Sequence, residues 1–472
     1  MKECKLSILF LFLITATQAI SQVRLPAVLS SGMVLQQNDS VTLWGWSQPA
    51  EKIFITTSWD KHTDSVVADN GANWKLKLKT PAAGGPYSIL FKGNNSIELK
   101  DVLIGEVWIC SGQSNMEMNE QWGGLPDVKA ELPSCANSNI RFFQIPKTTS
   151  AYPQEDCKAQ WVNCDSNTLK SFSAVGYFFG KKLNKELNVP VGLINASWGG
   201  TPAEVWTQAE QVNNDPELKA AADKLGNYAW WPKNPGLTYN GMLAPMFNFS
   251  IAGAIWYQGE GNTGAPLTYG HLFTIMIDSW RKAWNKNLPF YYVQIAPFTY
   301  GTTNIGNLVR EQQTKTLQHD NVGMAVVTDL VDNIADIHPK NKHEVGYRLA
   351  NWALAQTYYK QGIAYKSPFY KSIEVKKDKI IISFDNVPNG LIAKDKKINA
   401  LVIAGADKIF YPADAKIEGD KLIVWSKSVK VPVAARFSFS NADIGNIFSK
   451  EGLPVCPFRT DDWEVEQVEV KK

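Results

Sequence analysis

The sequence predicts a three-part α/β protein, in which a central domain with a mostly parallel sheet lies between an N-terminal β-sandwich and a C-terminal β-rich module. Residues 23–100 contain short alternating runs separated by turn residues, which is typical of a small sandwich. In residues 101–361, short apolar strands alternate with helical stretches, which is the pattern of βαβ units. Alternation returns in residues 362–472.

The two flanking segments show the two-residue period of half-buried strands. The N-terminal runs are VTLWGW (41–46), KIFIT (52–56) and WKLKL (74–78), and the C-terminal runs are KIIISF (379–384), KLIVW (421–425) and ARFSF (435–439). Turn residues such as Asn70-Gly71 separate the N-terminal runs. Short strands with turns about every 8–12 residues favour an all-β arrangement.

The central segment contains the strands on which we expect the chemistry to depend. They are VWIC, VGLINAS, IAGAIWYQ, FYYVQIA and GMAVVTD, and the predicted helices include TPAEVWTQAEQV, HLFTIMIDSWRKAW and EVGYRLANWALAQTYY. Strands rich in Val, Ile and Tyr between helices indicate a parallel sheet. Such sheets bind substrates beyond the carboxyl ends of their strands.

The N-terminus has the pattern of a secretory signal peptide, assigned to residues 1–22. Lys2 and Lys5 precede the apolar run LSILFLFLITA, and small-x-small patterns follow it at 17–19 and 19–21. The run is shorter than the roughly 20 apolar residues that span a bilayer, so an uncleaved anchor is the weaker alternative. We expect a secreted or periplasmic protein without a membrane span.

Charge and cysteine content exclude several classes of partner and cofactor. The chain has 48 basic and 45 acidic residues, and this balance is unlike the basic footprint of a nucleic-acid-binding protein. Five cysteines follow the signal peptide, and one local disulfide among Cys135, Cys157 and Cys164 is expected. The histidines do not cluster with cysteines, so no structural zinc site is predicted.

Ser114 is the candidate nucleophile. It follows the strand VWIC and Gly112, which permits a tight turn, at a point where a helix can begin. Backbone N–H groups at a helix start are unpaired and suit a developing oxyanion. On local sequence alone an N-capping serine is the commoner outcome, and a nucleophilic serine also needs a neighbouring base.

Four ordered blocks resemble the sialate O-acetylesterase family, a branch of the SGNH hydrolases. They are GQSNM (112–116), GLINASWGGT (192–201), WYQGE (256–260) and DIHP (336–339). The likeness extends over nearly the whole mature chain, including MVLQ at 33–36. It implies an SGNH-type three-layer α/β/α central domain and a serine esterase without metal or cofactor.

The resemblance implies that Ser114 attacks an ester carbonyl and that His338 is the general base. The sequence also favours His338, because it alone lies in a loop just after an apolar strand; the other histidines are His62, His271, His319 and His343. Relatives often place the orienting aspartate three residues earlier, where this chain has Ala335. Asp336 is therefore ranked first, ahead of Glu260 in the third block and Asp332, and the histidine acting without an acid remains an alternative.

The resemblance also implies the oxyanion donors, and the tryptophan content separately indicates a place for sugar binding. The donors are the backbone N–H groups of Ser114 and Gly199 and the amide of Gln258, which is alternatively a satisfied buried amide. Asn262 lies near Gln258. Among 17 tryptophans, Trp230 and Trp231 lie in an irregular segment and either form a sugar platform or pack that segment onto the sheet.

These observations predict hydrolysis of O-acetyl esters on sugars through an acyl-serine intermediate. The resemblance favours 9-O-acetylated sialic acid as the substrate, with acetylated xylan or another plant glycan as the alternative. A carbohydrate-binding protein without catalysis is a rival from another class, since β modules and tryptophans suit it. A serine peptidase is a further option.

Overall fold

The computed structural model describes residues 22–469. Residues 1–21 of the predicted signal peptide lie outside the described residues. The strands are β1 (Val34–Gln36), β2 (Ser40–Trp46), β3 (Lys52–Thr57), β4 (Thr63–Val67), β5 (Asn73–Lys79), β6 (Gly84–Lys92), β7 (Ser96–Gly112), β8 (Asn137–Gln144), β9 (Trp161–Cys164), β10 (Val191–Ser197), β11 (Gly253–Tyr257), β12 (Phe290–Val293), β13 (Val322–Ala325), β14 (Phe369–Lys376), β15 (Lys379–Asp385), β16 (Leu391–Ala393), β17 (Leu401–Ala404), β18 (Phe410–Pro412), β19 (Asp414–Glu418), β20 (Lys421–Trp425), β21 (Ala434–Phe437), β22 (Ile447–Ser449) and β23 (Phe458–Arg459).

The helices belong to the central segment. They are α1 (Ser114–Glu117), α2 (Glu120–Gly123), α3 (Pro126–Glu131), α4 (Ser166–Ser171), α5 (Ala174–Leu187), α6 (Ala209–Asn213), α7 (Pro216–Asp223), α8 (Tyr269–Trp284), α9 (Ile305–Lys315) and α10 (Lys342–Trp352). Short 3₁₀ turns cover Ala203–Trp206, Ala244–Met246, Glu260–Asn262, Pro266–Thr268, Thr316–Gln318 and Thr328–Leu330, and π turns cover Tyr239–Leu243 and Ala353–Thr357. The predicted helix TPAEVWTQAEQV is thus a 3₁₀ turn and the short α6.

The central sheet has the strand order β13-β12-β11-β7-β10-β8-β9. Every neighbouring pair from β13 to β8 is parallel, and β9 adds an antiparallel edge. Because the side chains of a strand alternate between the two faces, Val107 and Ile109 of β7 pack in one core with α8, whereas Trp108 and Cys110 pack in the other with α5 and α10. Helices therefore cover both faces, and the mixed α/β fold with a mostly parallel sheet is confirmed.

Local sequence signals set the ends of the helices that cover the sheet. The Ser173 side chain accepts the Gly176 N–H and starts α5, and Asn188, in the left-handed conformation, ends it. The Asn341 side chain accepts the Glu344 N–H at the start of α10. These caps fix where each helix begins beside the sheet, and α10 begins four residues after His338.

The N-terminal β region shares a strand with the central sheet. β2 pairs with β5, and a second layer joins β1, β3, β4, β6 and the first part of β7. The 17-residue β7 then continues into the central sheet. The boundary predicted at residue 100 falls within this strand, so a continuous backbone connects the first region to Ser114.

The C-terminal region is built from antiparallel sheets around its own apolar core. The sheets are β14-β15-β20-β19, β18-β17-β21-β23 and the pair β16-β22. Arg459 in β23 reaches α9 and binds the Glu311 carboxylate with an Nε–Oε1 distance of 2.7 Å. This ion pair joins the region to the central domain.

The expected local disulfide is not present, since Cys135, Cys157 and Cys164 are free thiols. Cys157 packs against the core that contains α8, whereas Cys135 and Cys164 belong to the core that contains α5. The sheet thus separates Cys157 from the other two. Within residues 22–469, none of the helices combines the length and apolar composition required to cross a membrane.

Candidate active site

The candidate site begins where β7 ends in the middle of the central sheet. Gly112 pairs with Tyr257 of β11 and with Ser197 of β10, and its φ is +136°. A side chain at Gly112 would collide with the Tyr257 carbonyl group. Glycine is required because the chain turns sharply in a conformation that other residues rarely adopt, and this turn places Ser114 at the carboxyl edge of the sheet.

Ser114 and His338 are in direct contact. Ser114 Oγ lies 2.9 Å from His338 Nε2, which is hydrogen-bonding distance. Ser114 is the first helical residue of α1, and Gln113 is the N-cap, so Ser114 is not a capping serine. Its own N–H is one of the groups without a partner inside the helix.

The environment of His338 favours its neutral form. Burial lowers the pKa of the imidazole, and the positive charge of Lys342 lowers it further, while Asp336 opposes the shift. The ring also lies edge-on to Trp122, with ring centroids 5.4 Å apart. A neutral imidazole can accept a proton from Ser114, as a general base must.

His338 lies in the loop of residues 331–341, here called the histidine loop. Asp336 binds the backbone of this loop more closely than it binds the His338 ring. Its Oδ1 accepts the His338 backbone N–H at 2.9 Å, whereas the distance from Oδ1 to Nδ1 is 3.8 Å. Within residues 22–469, no acceptor lies at hydrogen-bonding distance from Nδ1. Because catalytic hydrogen bonds often tighten only with substrate bound, Asp336 stands near the position of an orienting acid.

Glu260, the rival acid, acts on the histidine loop through Asn115. Its Oε1 accepts a hydrogen bond from Asn115 Nδ2 at 2.7 Å, and the same amide nitrogen donates to the Ile337 carbonyl at 3.1 Å. Glu260 is 8% exposed, and burial raises its pKa. One buried carboxylate therefore positions the residue next to His338 without touching the ring.

Lys342 completes this network from the first turn of α10. Its Nζ donates to Asn115 Oδ1 at 2.7 Å, and its side chain is 1% exposed. Burial lowers the pKa of Lys342 to about 8, although the nearby carboxylates of Glu260 and Asp127 favour the charged form. Lys342 and Glu260 thus bind opposite ends of the Asn115 amide.

Sequence reasoning did not find Asn115 and Lys342 as site residues. Asn115 lies inside the GQSNM block, and this position was a signal that could have singled it out. Lys342 lies four residues beyond His338 in a polar stretch that predicts a solvated lysine. Its burial depends on contacts with distant segments, which the local pattern does not contain.

Gly199 lies against Ser114, but its N–H already has an acceptor. Glu117 Oε2 accepts the Gly199 N–H at 2.5 Å. A methyl group on Gly199 would lie 3.4 Å from Ser114 Cβ, so the two predicted donors, Ser114 and Gly199, are brought together. The Glu117 carboxylate thus occupies the place predicted for the oxyanion beside Gly199.

The structure does not place the Gln258 amide as an oxyanion donor. Gln258 is fully buried, and its Nε2 donates to Asn262 Oδ1 at 2.7 Å and to the Thr201 carbonyl at 3.3 Å. Its Oε1 accepts from the Tyr269 hydroxyl at 3.0 Å. Both amide hydrogens are used inside the protein, so Gln258 and Asn262 support the loop that contains Gly199.

A cavity of about 870 Å³ opens above Ser114 and His338. Trp230 is 70% exposed on its wall, and Trp231 packs over Gly200. Tyr228 stacks near Trp231, with ring centroids 4.5 Å apart. Both predicted tryptophans therefore line the cavity, one as an exposed surface and the other as packing for the loop.

The charged residues on the cavity wall are three lysines and two glutamates. Lys147, Lys224 and Lys233 line it, together with the carboxylates of Glu117 and Glu260. Lys147 is ion-paired with Glu117, at 2.5 Å. Lys224 and Lys233 thus supply positive charge beside the aromatic wall.

The other histidines lie outside this constellation. His271 Nε2 is 2.7 Å from Asp215, and His319 Nε2 is 2.8 Å from Asp278. Both pairs are on exposed parts of the surface and neither lines the cavity. Only His338 reaches a serine in the described part of the chain.

Comparisons with known proteins identify the family of this chain. Residues 104–355, more than half of the chain, match the family model of a carbohydrate esterase, sialic acid-specific acetylesterase. The human sialate O-acetylesterase is 29% identical over 396 residues, covering 75% of this chain and 74% of that protein. The sialate O-acetylesterase of Mus musculus is 27% identical over 417 residues, covering 75% of this chain and 76% of that protein.

A solved structure extends the similarity to nearly the whole chain. The crystal structure of a carbohydrate acetylesterase from Xanthomonas citri superposes with a TM-score of 0.85 at 36% identity, covering 93% of this chain and all of that one. The resemblance inferred from the four sequence blocks is thereby confirmed. The chain is a hydrolytic esterase and belongs to the carbohydrate esterase family of sialic acid-specific acetylesterases.

Proposed function

We propose that this enzyme removes O-acetyl groups from sialic acids, with Ser114 as nucleophile and His338 as general base. The contact between Ser114 Oγ and His338 Nε2, 2.9 Å long and at the floor of a large cavity, is the observation that carries the proposal. The central domain would then be of the SGNH type, which the four sequence blocks and the helix-covered parallel sheet support.

The reaction proceeds in two transfers. Ser114 Oγ attacks the acetyl carbonyl carbon while its proton passes to His338 Nε2, and the tetrahedral intermediate collapses as His338 returns that proton to the departing sugar oxygen. Water then attacks the acetyl-serine and gives a proton to His338, and the second tetrahedral intermediate collapses as that proton returns to Ser114 Oγ, which releases acetic acid that ionises to acetate and a proton. Asp336 and the Asn115–Glu260 contact hold the histidine loop in place.

The two lysines of the cavity wall that form no ion pair within residues 22–469 support an anionic sugar over a neutral one. A sialic acid has a carboxylate, and Lys224 and Lys233 stand near the exposed Trp230. An aromatic ring can pack against a sugar while a lysine pairs with its charge. The acetylated xylose units of xylan are neutral, so this polymer is the second candidate. We further propose that the enzyme is exported, because residues 1–22 have the signal-peptide pattern.

The deciding experiment measures acetate release from 9-O-acetylated sialic acid and from acetylated xylo-oligosaccharides, offered separately to the purified enzyme. We expect a higher kcat/KM for the sialic acid and only the background rate for Ser114→Ala. A preference for the xylo-oligosaccharides would contradict the substrate assignment. Full activity of Ser114→Ala would contradict the mechanism.

A further inference from the structure

The carboxylate of Glu117 accepts the Gly199 N–H, which is one of the donors that the proposed reaction needs. Glu117 is three residues after Ser114 in α1, so the two side chains lie on the same side of the turn. Its Oε2 accepts the Gly199 N–H at 2.5 Å, and its Oε1 is 2.5 Å from Lys147 Nζ. A methyl group on Gly199 would lie 3.1 Å from Glu117 Oε2 and 3.4 Å from Ser114 Cβ. The carboxylate therefore fills space directly beside the nucleophile.

Building on the proposed esterase mechanism, we propose that Glu117 is an internal occupant of the oxyanion site, and that the acetyl carbonyl displaces it toward Lys147 when substrate binds. A carboxylate oxygen and the oxyanion of a tetrahedral intermediate are both negative acceptors, so the same N–H suits both. While Glu117 holds Gly199, that N–H cannot stabilise the intermediate. A negative carboxylate left in place would also repel the developing charge.

Lys147 is suited to receive the displaced carboxylate. It already contacts the other oxygen of Glu117, and its side chain is 45% exposed, so its ammonium group has freedom to move. Its Nζ also lies 5.9 Å from the centroid of the Trp198 ring, and Trp198 Nε1 donates to the Trp230 carbonyl at 2.9 Å. The pair thus lies between the reacting centre and the aromatic wall of the cavity.

The competing explanation is that Glu117 is a fixed support that holds Gly199 in its productive position. The two explanations predict opposite effects of the conservative variant Glu117→Gln. If Glu117 is a support, weakening its hydrogen bond to Gly199 lowers the activity. If Glu117 is an occupant of the oxyanion site, weakening that hydrogen bond raises the activity. Glutamine keeps the size of the side chain and one carbonyl acceptor, so a large change in folding is not expected.

The first test measures kcat/KM on an acetyl ester for Glu117→Gln, Lys147→Met and the double variant. Because a charge-assisted hydrogen bond is about twice as strong as a neutral one, we expect Glu117→Gln to raise kcat/KM about fivefold to tenfold. Lys147→Met removes the alternative partner and should lower kcat/KM by a similar factor. In the double variant the loss of kcat/KM caused by Lys147→Met should disappear, because the two residues act on the same step.

The matched controls are Glu374→Gln and Lys376→Met. These residues form an exposed carboxylate–lysine pair, 3.2 Å apart, in the C-terminal region and outside the cavity. Their kcat/KM should equal that of the wild type. If the Glu117→Gln enzyme melts at the wild-type temperature, a kcat/KM equal to or below that of the wild type would overturn the proposal.

A second test does not depend on turnover. Sodium acetate, titrated into the protein by calorimetry, must compete with Glu117 for the Gly199 N–H in the wild type. We expect its Kd to be several-fold lower in Glu117→Gln, and an equal or higher Kd would overturn the proposal even in an enzyme that hydrolyses no acetyl ester. Failure of the esterase mechanism and failure of this inference are therefore distinguishable.

Discussion

Ser114 Oγ and His338 Nε2 lie 2.9 Å apart although 224 residues separate them in the chain. Ser114 follows the central strand β7, whereas His338 follows β13 at the edge of the sheet. The histidine loop must therefore cross above β12 and β11 to reach the serine. Asn115 holds it there by donating to the Ile337 carbonyl at 3.1 Å.

The proposed mechanism requires His338 as the base. Substituting His338→Asn leaves Ser114 without a base, and we expect kcat to fall by about 10³-fold with little change in KM. Initial rates of acetate release measure the effect. The control is His319→Asn, because His319 also pairs with an aspartate but lies outside the cavity. Equal losses in the two variants would contradict a specific role for His338.

The rate should depend on pH through His338. Only the neutral imidazole accepts the proton of Ser114, so activity falls as pH drops through the pKa of His338. Burial and Lys342 lower this pKa from 6.5, so the acidic limb of kcat/KM should have its midpoint below pH 6.5.

Lys342→Met should move that limb upward. The substitution removes a positive charge that disfavours the imidazolium ion, so the pKa of His338 rises. A midpoint that is unchanged or lower would show that Lys342 does not set the pKa, and Lys340→Met, at an exposed position in the same loop, is the control.

The two candidate acids should differ in what their loss affects. Asp336→Asn keeps an oxygen that can accept the His338 backbone N–H but removes the charge near Nδ1. Because the 3.8 Å separation is longer than a hydrogen bond, we expect kcat to fall by only about 10- to 100-fold, well below the roughly 10⁴-fold loss seen when a closely bonded triad aspartate is replaced.

Glu260→Gln should act instead on stability and on the histidine loop. The neutral amide weakens the hydrogen bond from Asn115 and removes one of the carboxylates that favour charged Lys342, and losing a hydrogen bond to a charged group costs about 1.5–3 kcal/mol of the free energy of unfolding. Urea denaturation measures this loss. If Asp336→Asn destabilised the fold more than Glu260→Gln, the assignment of the two carboxylates would be reversed.

The exposed tryptophan offers a test of sugar binding. Trp230 is 70% exposed on the cavity wall, so Trp230→Ala should leave the melting temperature unchanged while raising KM for the acetylated sugar by about 5- to 10-fold, the effect of losing roughly 1 kcal/mol of aromatic contact. Hydrolysis of p-nitrophenyl acetate, which has no sugar, should be unaffected. The control is Tyr152→Ala, since Tyr152 is 78% exposed outside the cavity.

The sequence by itself determined the architecture, because it depends on local periodicity. The apolar run VGLINAS is β10, and the strand that ends at Gly112 is β7, whose turn only glycine permits without strain. Ser114 and His338 were also nominated from the sequence, since the blocks around them are short and specific, and their side chains are in contact. The predicted helix at 201–212 was too long because tertiary packing broke it into a 3₁₀ turn and α6.

Only the tertiary structure decided which polar groups are already in use. The sequence does not indicate that Gln258 donates both amide hydrogens to Asn262 and Thr201, or that Glu117 accepts the Gly199 N–H. It also predicts a solvated Lys342, whereas the fold buries this lysine against Asn115. Hydrogen bonds and burial depend on which distant segments meet, so spacing along the chain can nominate the residues of a site but cannot assign their partners.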